Sequence, residues 1–184
     1  MGLLAARLRR LRSRQDGRCA AHRLNEKLYG ELSRREFVAF SIAILKLSSG
    51  ELEVANCGLP DPYWICDDRK TEVIDVPGSR LPLGVRRDVV YESCKLQLQA
   101  GDRFLLLTDG LPEALTLEGE PLGYEALMEI VDRPQSLEDD PSAWLDRLLE
   151  DVTRATTTEN DDDLMALMLK RCPIPDRELA ATQA

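Results

Sequence analysis

The chain has 184 residues, of which 43% are hydrophobic and 31% charged, a balance typical of one folded globular domain and not of a disordered chain. Its net charge of -9 disfavours nonspecific nucleic-acid binding, which depends on neutralising phosphates. Five cysteines without a C-x-x-C pair indicate neither a disulfide framework nor a zinc knuckle, and without a run of about eighteen apolar residues we expect a cytoplasmic protein.

The first 23 residues concentrate positive charge. They hold seven arginines and one acid, Asp16. In helical register Leu4, Leu8 and Leu11 form an apolar stripe, which predicts a surface helix with an apolar underside. No aromatic residues interleave the arginines, which favours a solvated face over a nucleic-acid or membrane patch, and we expect neither as a partner. A partner-docking surface is the remaining alternative.

The next part of the chain alternates helix and strand signals. Leucines recur every four residues from Ala21 to Leu32, which predicts a second helix, whose His22 is interpreted as a surface residue. Apolar runs bounded by polar turns then predict antiparallel strands at 37–45, 51–55, 63–66, 71–76, 89–98 and 104–107. Five or six such strands in succession predict stacked antiparallel sheets, not a parallel Rossmann sheet.

Helices return in the C-terminal half. We expect a short helix at 124–131 and a polar connector from Pro134 to Asp140. Asp140 and Pro141 then suit the N-cap and first turn of a longer helix, and Trp144 is interpreted as its core anchor. Its apolar face is predicted to carry Trp144, Leu145, Leu148, Leu149 and Val152. The residues after Pro173 are expected to fray.

Two clusters of carboxylates flank apolar strands. Asp109 directly follows the strand 104–107, and the run 160–163 directly precedes the strand 164–169. If these strands pair antiparallel, both clusters reach the same edge of the sheet. Carboxylate oxygens without nearby His or Cys suit magnesium or manganese better than zinc. The alternative is that each cluster is an ordinary solvated turn.

Four short motifs, in a characteristic order and spacing, resemble one known family. They are Leu105-Leu106-Leu107-Thr108-Asp109-Gly110 followed by Glu113-Ala114, Asp162-Asp163 before an apolar strand, 55–60 and 81–85. Over roughly residues 20 to 172 the chain resembles the catalytic domain of PPM-type serine/threonine phosphatases of the SpoIIE and RsbU branch. The resemblance implies an α+β fold, a layered antiparallel β-sandwich flanked by helices, in a domain spanning 1–172 with a flexible tail at 173–184.

The resemblance also implies a function. It predicts a cytoplasmic signalling hydrolase that removes phosphate from phosphoserine or phosphothreonine on a regulatory protein, of the anti-sigma-factor-antagonist type. The family uses two Mn²⁺ or Mg²⁺ ions and a metal-activated water, so no side chain is expected to act as nucleophile. An upstream sensor domain or a homodimer would fit the same family.

The resemblance of these motifs implies roles for individual residues. Asp109 and Asp162 match metal ligands, and Asp163 matches a residue that orients a ligand or a water. Asn56 and Gly58 match the N-x-G of a loop near the family's active site. The chain departs from the family at Leu59, Pro112 and Met165, where the family more often has His, hydroxyl or small polar residues, and these changes put local hydrogen bonding in doubt.

The largest departure is at the N-terminus. The family has an earlier strand ending in Asp-Gly, whose Asp bridges the two metals, and this chain starts with the helix that follows it. We therefore expect the opening strands of the sandwich to be missing, with one metal held weakly or poor turnover. The alternative to an enzyme is a catalytically impaired or noncatalytic domain that still binds a partner.

Overall fold

The computed structural model describes residues 17–33, 35–66, 70–133, 140–157 and 164–173. The described helices are α1 (Gly17–Glu31), α2 (Gly110–Glu113), α3 (Gly123–Val131) and α4 (Pro141–Ala155). The described strands are β1 (Phe40–Leu45), β2 (Glu51–Cys57), β3 (Tyr63–Ile65), β4 (Glu72–Val73), β5 (Cys94–Gln97), β6 (Arg103–Leu107) and β7 (Ala166–Lys170). The chain forms two compact units, Met1–Asp61 with Asp75–Gln97 and Pro62–Ile74 with Leu98–Ala184.

The first unit is built on a three-stranded antiparallel sheet with β2 at its centre. The order is β1-β2-β5, and the β1–β2 hairpin runs from the pair Phe40↔Cys57 to the pair Leu45↔Leu52. Gly50 closes the hairpin turn with a φ of 77° and donates its N–H to Lys46 O at 2.8 Å. Every residue of β2 after Glu51 is buried, as expected for a central strand.

Helix α1 packs beside this sheet and contributes to its core. The core is formed by Ala21 with Cys57, Leu83, Val89 and Tyr91, against which the half-buried side chains of Leu24, Leu28, Val38, Phe40 and Ile42 pack. The helical spacing of the leucines therefore has its origin in this contact.

The second unit is built on a four-stranded antiparallel sheet in the order β4-β3-β6-β7. Central strand β6 pairs with β3 from Tyr63↔Leu105 to Ile65↔Arg103 and with β7 along its whole length. The side chains of β6 are buried except for half-buried Leu106. The apolar run before Asp109 is thus a central strand.

Helices α2, α3 and α4 supply the rest of the core of the second unit. Asp140 caps α4, because its carboxylate accepts a hydrogen bond from Ser142 N at 3.1 Å, and Pro141 starts the helix. The buried cluster comprises Tyr63, Ile65, Leu105, Leu107, Leu111, Leu127, Ile130, Val131, Trp144, Leu148 and Val152.

The predicted fold class, helices combined with antiparallel sheets, is confirmed, and no pair of described strands runs parallel. Two predicted strands are much shorter than expected: 71–76 contains only β4, and 89–98 contains only β5. Val89 and Tyr91 are buried in the core of the first unit without forming a sheet ladder, so their alternation reflects burial alone. On α4, Leu149 is 36% exposed, unlike the other residues of its predicted face.

Several predictions concern residues outside the described ranges. These are the N-terminal helix with Leu4, Leu8 and Leu11, the connector 134–139, the acidic run 160–163 and the tail after Pro173. The single domain over 1–172 also stays a prediction. None of the described helices is both long and apolar enough to cross a bilayer.

Candidate functional site

Asp109 stands at the end of the central strand β6, where a buried strand passes into a helix. It occupies the N-cap position of α2 with an exposed side chain, and its carboxylate makes no capping hydrogen bond. Leu107 on one side is 3% exposed and Leu111 on the other is 0% exposed. The core of the second unit therefore anchors both sides of Asp109 and leaves its carboxylate oxygens facing solvent.

Thr108 extends the pairing of β6 and β7 by one residue towards Asp109. Its N–H donates to Met165 O at 3.0 Å, and its hydroxyl accepts the N–H of Met165 at 2.9 Å. The strand register continues through Leu107↔Ala166 to Phe104↔Leu169. The antiparallel pairing that the metal-site hypothesis required is therefore present, and Met165 follows Asp163 by only two residues in sequence.

The sequence assigns three aspartates to the metal site. Asp109 is described, whereas Asp162 and Asp163 lie outside the described residues. Among the residues that are described, no three His, Cys, Asp or Glu side chains come together as a metal site. The chemistry of Asp109, an exposed carboxylate without a capping role, fits a hard divalent cation, and by itself it would supply only one or two of the oxygens that such a cation needs.

Asn56 and Gly58 belong to the first unit and fold a tight loop at the end of β2. The Asn56 side chain donates to Leu59 O at 2.8 Å and accepts Leu59 N–H at 3.0 Å, so its amide is engaged by its own loop. Gly58 has a φ of 101°, and a Cβ there would lie 2.8 Å from Pro82 Cγ. Both residues of the N-x-G motif therefore have a local structural role in shaping this loop.

Asn25 is a residue that the sequence analysis missed. It is fully buried on α1 and holds the loop that follows the 81–85 motif. Its Nδ2 donates to Arg86 O and Arg87 O, each at 2.9 Å, and its Oδ1 accepts Gly84 N–H at 2.9 Å. Position 25 lies one helical turn after buried Ala21, so a polar residue on an apolar helix face was the available signal.

Two buried acids, Asp102 and Glu53, accept hydrogen bonds from other segments of the chain. Asp102, at the opposite end of β6 from Asp109, accepts hydrogen bonds from Trp64 Nε1 at 3.0 Å and Gln99 N at 2.8 Å. Glu53 on β2 accepts Gly17 N–H at 2.9 Å and the Ser93 hydroxyl at 2.8 Å. Both carboxylates are engaged in holding chain segments together, so neither is a candidate ligand.

Comparison with known proteins identifies related sequences. The family model for Stage II sporulation protein E (SpoIIE) matches residues 1–172. Stage II sporulation protein E of Bacillus subtilis is 24% identical over 161 residues, a stretch that covers 87% of this chain and 18% of that protein. The chain thus spans about a fifth of the length of this curated relative.

Solved structures share the fold. The phosphatase domain of the cell fate determinant SpoIIE from Bacillus subtilis, presoaked with Mn, superimposes with a TM-score of 0.64 at 20% identity, over 91% of this chain and 71% of that chain. The RsbU and RsbW domains of a Mycobacterium tuberculosis protein give a TM-score of 0.60 at 24% identity, over 82% of this chain and 41% of that chain. The mixed helix and antiparallel sheet fold is therefore that of PP2C-type phosphatase domains.

Proposed function

This chain belongs to the SpoIIE family, and from that premise we propose that it is a metal-dependent protein serine/threonine phosphatase domain. The proposed reaction is hydrolysis of a phosphoserine or phosphothreonine ester on a regulatory phosphoprotein. The solved SpoIIE domain is named as a phosphatase domain, and we propose the same activity for this chain.

The observation that carries the proposal is the antiparallel register of β6 and β7. An exposed carboxylate, Asp109, follows the central strand, and the neighbouring strand starts just after an acidic run. Antiparallel neighbours bring the end of one strand beside the start of the next. A solvated turn would explain Asp109 alone, but it would not require two acid-bearing ends to meet across the same pair of strands.

The proposed ligands are Asp109 and Asp162, with Asp163 orienting a ligand or a water, and the resemblance of the N-x-G motif suggests a supporting role for Asn56 and Gly58. Mn²⁺ or Mg²⁺ held there would supply the positive charge that lowers the pKa of water and offsets phosphoryl charge.

The chain's own residues contribute positioning. Leu107 and Leu111, both in the core of the second unit, restrict the backbone on either side of Asp109. Thr108 ties Met165, just before β7, to the end of β6, because its N–H donates to Met165 O and its hydroxyl accepts Met165 N–H. A preorganised carboxylate loses little conformational freedom when it binds a cation, which is the physical advantage of building the site on packed strands.

The substrate and location are the finer part of the proposal. We propose a phosphorylated anti-sigma-factor antagonist or a similar regulatory protein as the substrate, in the cytoplasm. A phosphoryl ester needs the cation for docking, because Asp109 and its acidic neighbours would otherwise repel it.

The test combines metal binding with catalysis. Isothermal titration with MnCl₂ and hydrolysis of a phosphoserine peptide would be measured on this chain and on Asp109→Asn. We expect Asp109→Asn to weaken Mn²⁺ binding by at least about tenfold, because a charged ligand is replaced by a neutral one, and to abolish any Mn²⁺-dependent hydrolysis. Asp146→Asn, the same change at an exposed position of α4, is the matched control and should alter neither quantity.

The contribution of Thr108 can be separated in the same assay. Thr108→Val removes the hydroxyl that accepts Met165 N–H, whereas Thr108→Ser keeps it. Valine should weaken Mn²⁺ binding less than Asp109→Asn does, and serine less than valine. Unchanged binding in Asp109→Asn would refute the site. Binding that depends on Asp109 without any hydrolysis would favour the noncatalytic, partner-binding alternative.

A further inference from the structure

A groove in the first unit lies outside the site proposed for the metal. It is open to solvent, has a volume of about 430 Å³ and runs between α1 and the segment 88–91. Its lining residues are Arg18, Cys19, His22, Arg23, Asp88, Val89, Val90 and Tyr91. All of them belong to one compact unit, so the groove is a feature of that unit alone.

The floor of the groove is apolar. Val89 and Tyr91 are 3% and 2% exposed and anchor the floor in the core, while Val90 between them is 73% exposed. The Tyr91 hydroxyl donates to Leu81 O at 3.0 Å, so its hydrogen-bonding group is used away from the groove. What remains is a surface with one protruding aliphatic side chain, suited to contact with an apolar group.

The rim of the groove is positive. Arg18 and Arg23 are exposed on α1 beside His22, and Asp88 is the one acid among the lining residues that the structure describes. Two exposed arginines, Arg86 and Arg87, directly precede Asp88, and Asn25 holds their carbonyl groups. The chain as a whole has a net charge of -9. Positive charge is therefore concentrated in this part of an otherwise acidic protein.

We propose that this groove docks an acidic amphipathic segment of a protein partner. Carboxylates of the segment would contact the arginine rim, and an apolar side chain would pack on Val90. The proposal does not depend on phosphatase activity, because none of the lining residues is among the proposed metal ligands.

A protein segment fits better than the other polyanions. Nucleic-acid phosphates would leave the apolar floor unused, and the groove carries no row of exposed aromatics for stacking bases. A bilayer would need a convex apolar surface with several protruding side chains, whereas this site is concave and presents Val90 alone. Peptide carboxylates with interspersed aliphatic residues match both the rim and the floor.

The test uses a fluorescein-labelled peptide of alternating Glu-Glu and Leu-Leu pairs, titrated with the full chain and followed by fluorescence anisotropy. Binding should weaken about fivefold or more in Arg23→Glu and in Val90→Asp, because each change places a carboxylate against the acidic peptide. Lys27→Glu is the matched control, since Lys27 is exposed on the same helix outside the groove, and it should change the affinity less than about twofold.

Companion probes distinguish the apolar and charged contributions and the competing occupants. A peptide with Ser in place of Leu, a peptide with Lys in place of Glu, a thymidine oligonucleotide and phosphatidylserine vesicles would be titrated in parallel. The proposal expects both altered peptides to bind at least about fivefold more weakly. It would be overturned if the Glu-Leu peptide failed to bind, if Lys27→Glu weakened binding as much as Arg23→Glu, or if the oligonucleotide or the vesicles bound more tightly than the peptide.

Discussion

Replacing Asn25 by alanine should destabilise the first unit substantially. Asn25 is 0% exposed and makes three hydrogen bonds of 2.9 Å to the loop at Gly84, Arg86 and Arg87. A hydrogen bond contributes about 0.5–1.5 kcal/mol net, so removing three should lower the free energy of unfolding by about 3 kcal/mol. For a chain of this size the midpoint of thermal unfolding should fall by about 6–12 °C.

The assay is urea and thermal unfolding followed by circular dichroism, with hydrogen exchange of residues 84–87 as a local readout. Asn25→Asp sharpens the test: it keeps the acceptor for Gly84 N–H but turns a carboxylate oxygen towards two carbonyl groups. It should therefore destabilise the protein at least as much as alanine does. Lys27→Ala, an exposed change on the same helix, is the control and should have an effect within about 0.5 kcal/mol.

A loss below about 1 kcal/mol in Asn25→Ala would refute the reasoning, because the three hydrogen bonds could not then hold the loop. Faster exchange at 84–87 with little change in global stability would instead limit the role of Asn25 to local order.

Two further predictions concern the motif loop and the core of the first unit. Gly58→Ala should lower the free energy of unfolding by about 1–3 kcal/mol, because φ is 101° and the new Cβ would lie 2.8 Å from Pro82 Cγ. Gly119→Ala is the control and should cost less, because its φ of 82° is also positive but the space around it is open. Equal losses of stability in urea unfolding would contradict the steric part of the argument. Burial raises the pKa of the Cys57 thiol to about 12 from an unfolded value of 9.0, so the folded state keeps a proton that the unfolded state releases, and stability should fall as the pH rises from about 9 towards 12. Cys57→Ala should flatten this alkaline dependence in urea unfolding between pH 8 and 10.5, and an unchanged slope would assign the dependence to other groups.

Much of the local architecture could be predicted from the sequence. The β1–β2 hairpin was predicted because apolar runs flank a Ser-Ser-Gly turn, and Gly50 indeed adopts a positive φ there. The start of α4 was predicted from Asp140 and Pro141, whose capping and first-turn roles depend only on neighbouring residues. The hypothesis of a metal site required β6 and β7 to pair antiparallel, and the structure meets this condition.

Other features depend on partners that are distant in sequence. Glu53 alternates with apolar residues on β2 as an exposed side chain would, yet it is 9% exposed because Gly17 and Ser93 donate to it. Asn25 lies on the apolar face of α1, but the groups that satisfy its amide lie about sixty residues away. The segment 89–98 alternates like a strand, but Val89 and Tyr91 alternate because they fill a core.

The sequence by itself determined helices α1, α3 and α4, the β1–β2 hairpin, the capping of α4 and the acidic composition of the strand ends, because these depend on contacts within a few residues. Only the tertiary structure decided which polar groups are buried and that β5 lies beside β2 and β3 beside β6. Burial of Asn25 and Glu53 requires donors and acceptors supplied by other segments, and the neighbours of β6 are chosen by packing of whole apolar faces. The exposed carboxylate of Asp109 between two buried leucines is the product of both: local sequence placed it after a strand, and the packed core of the second unit holds it there.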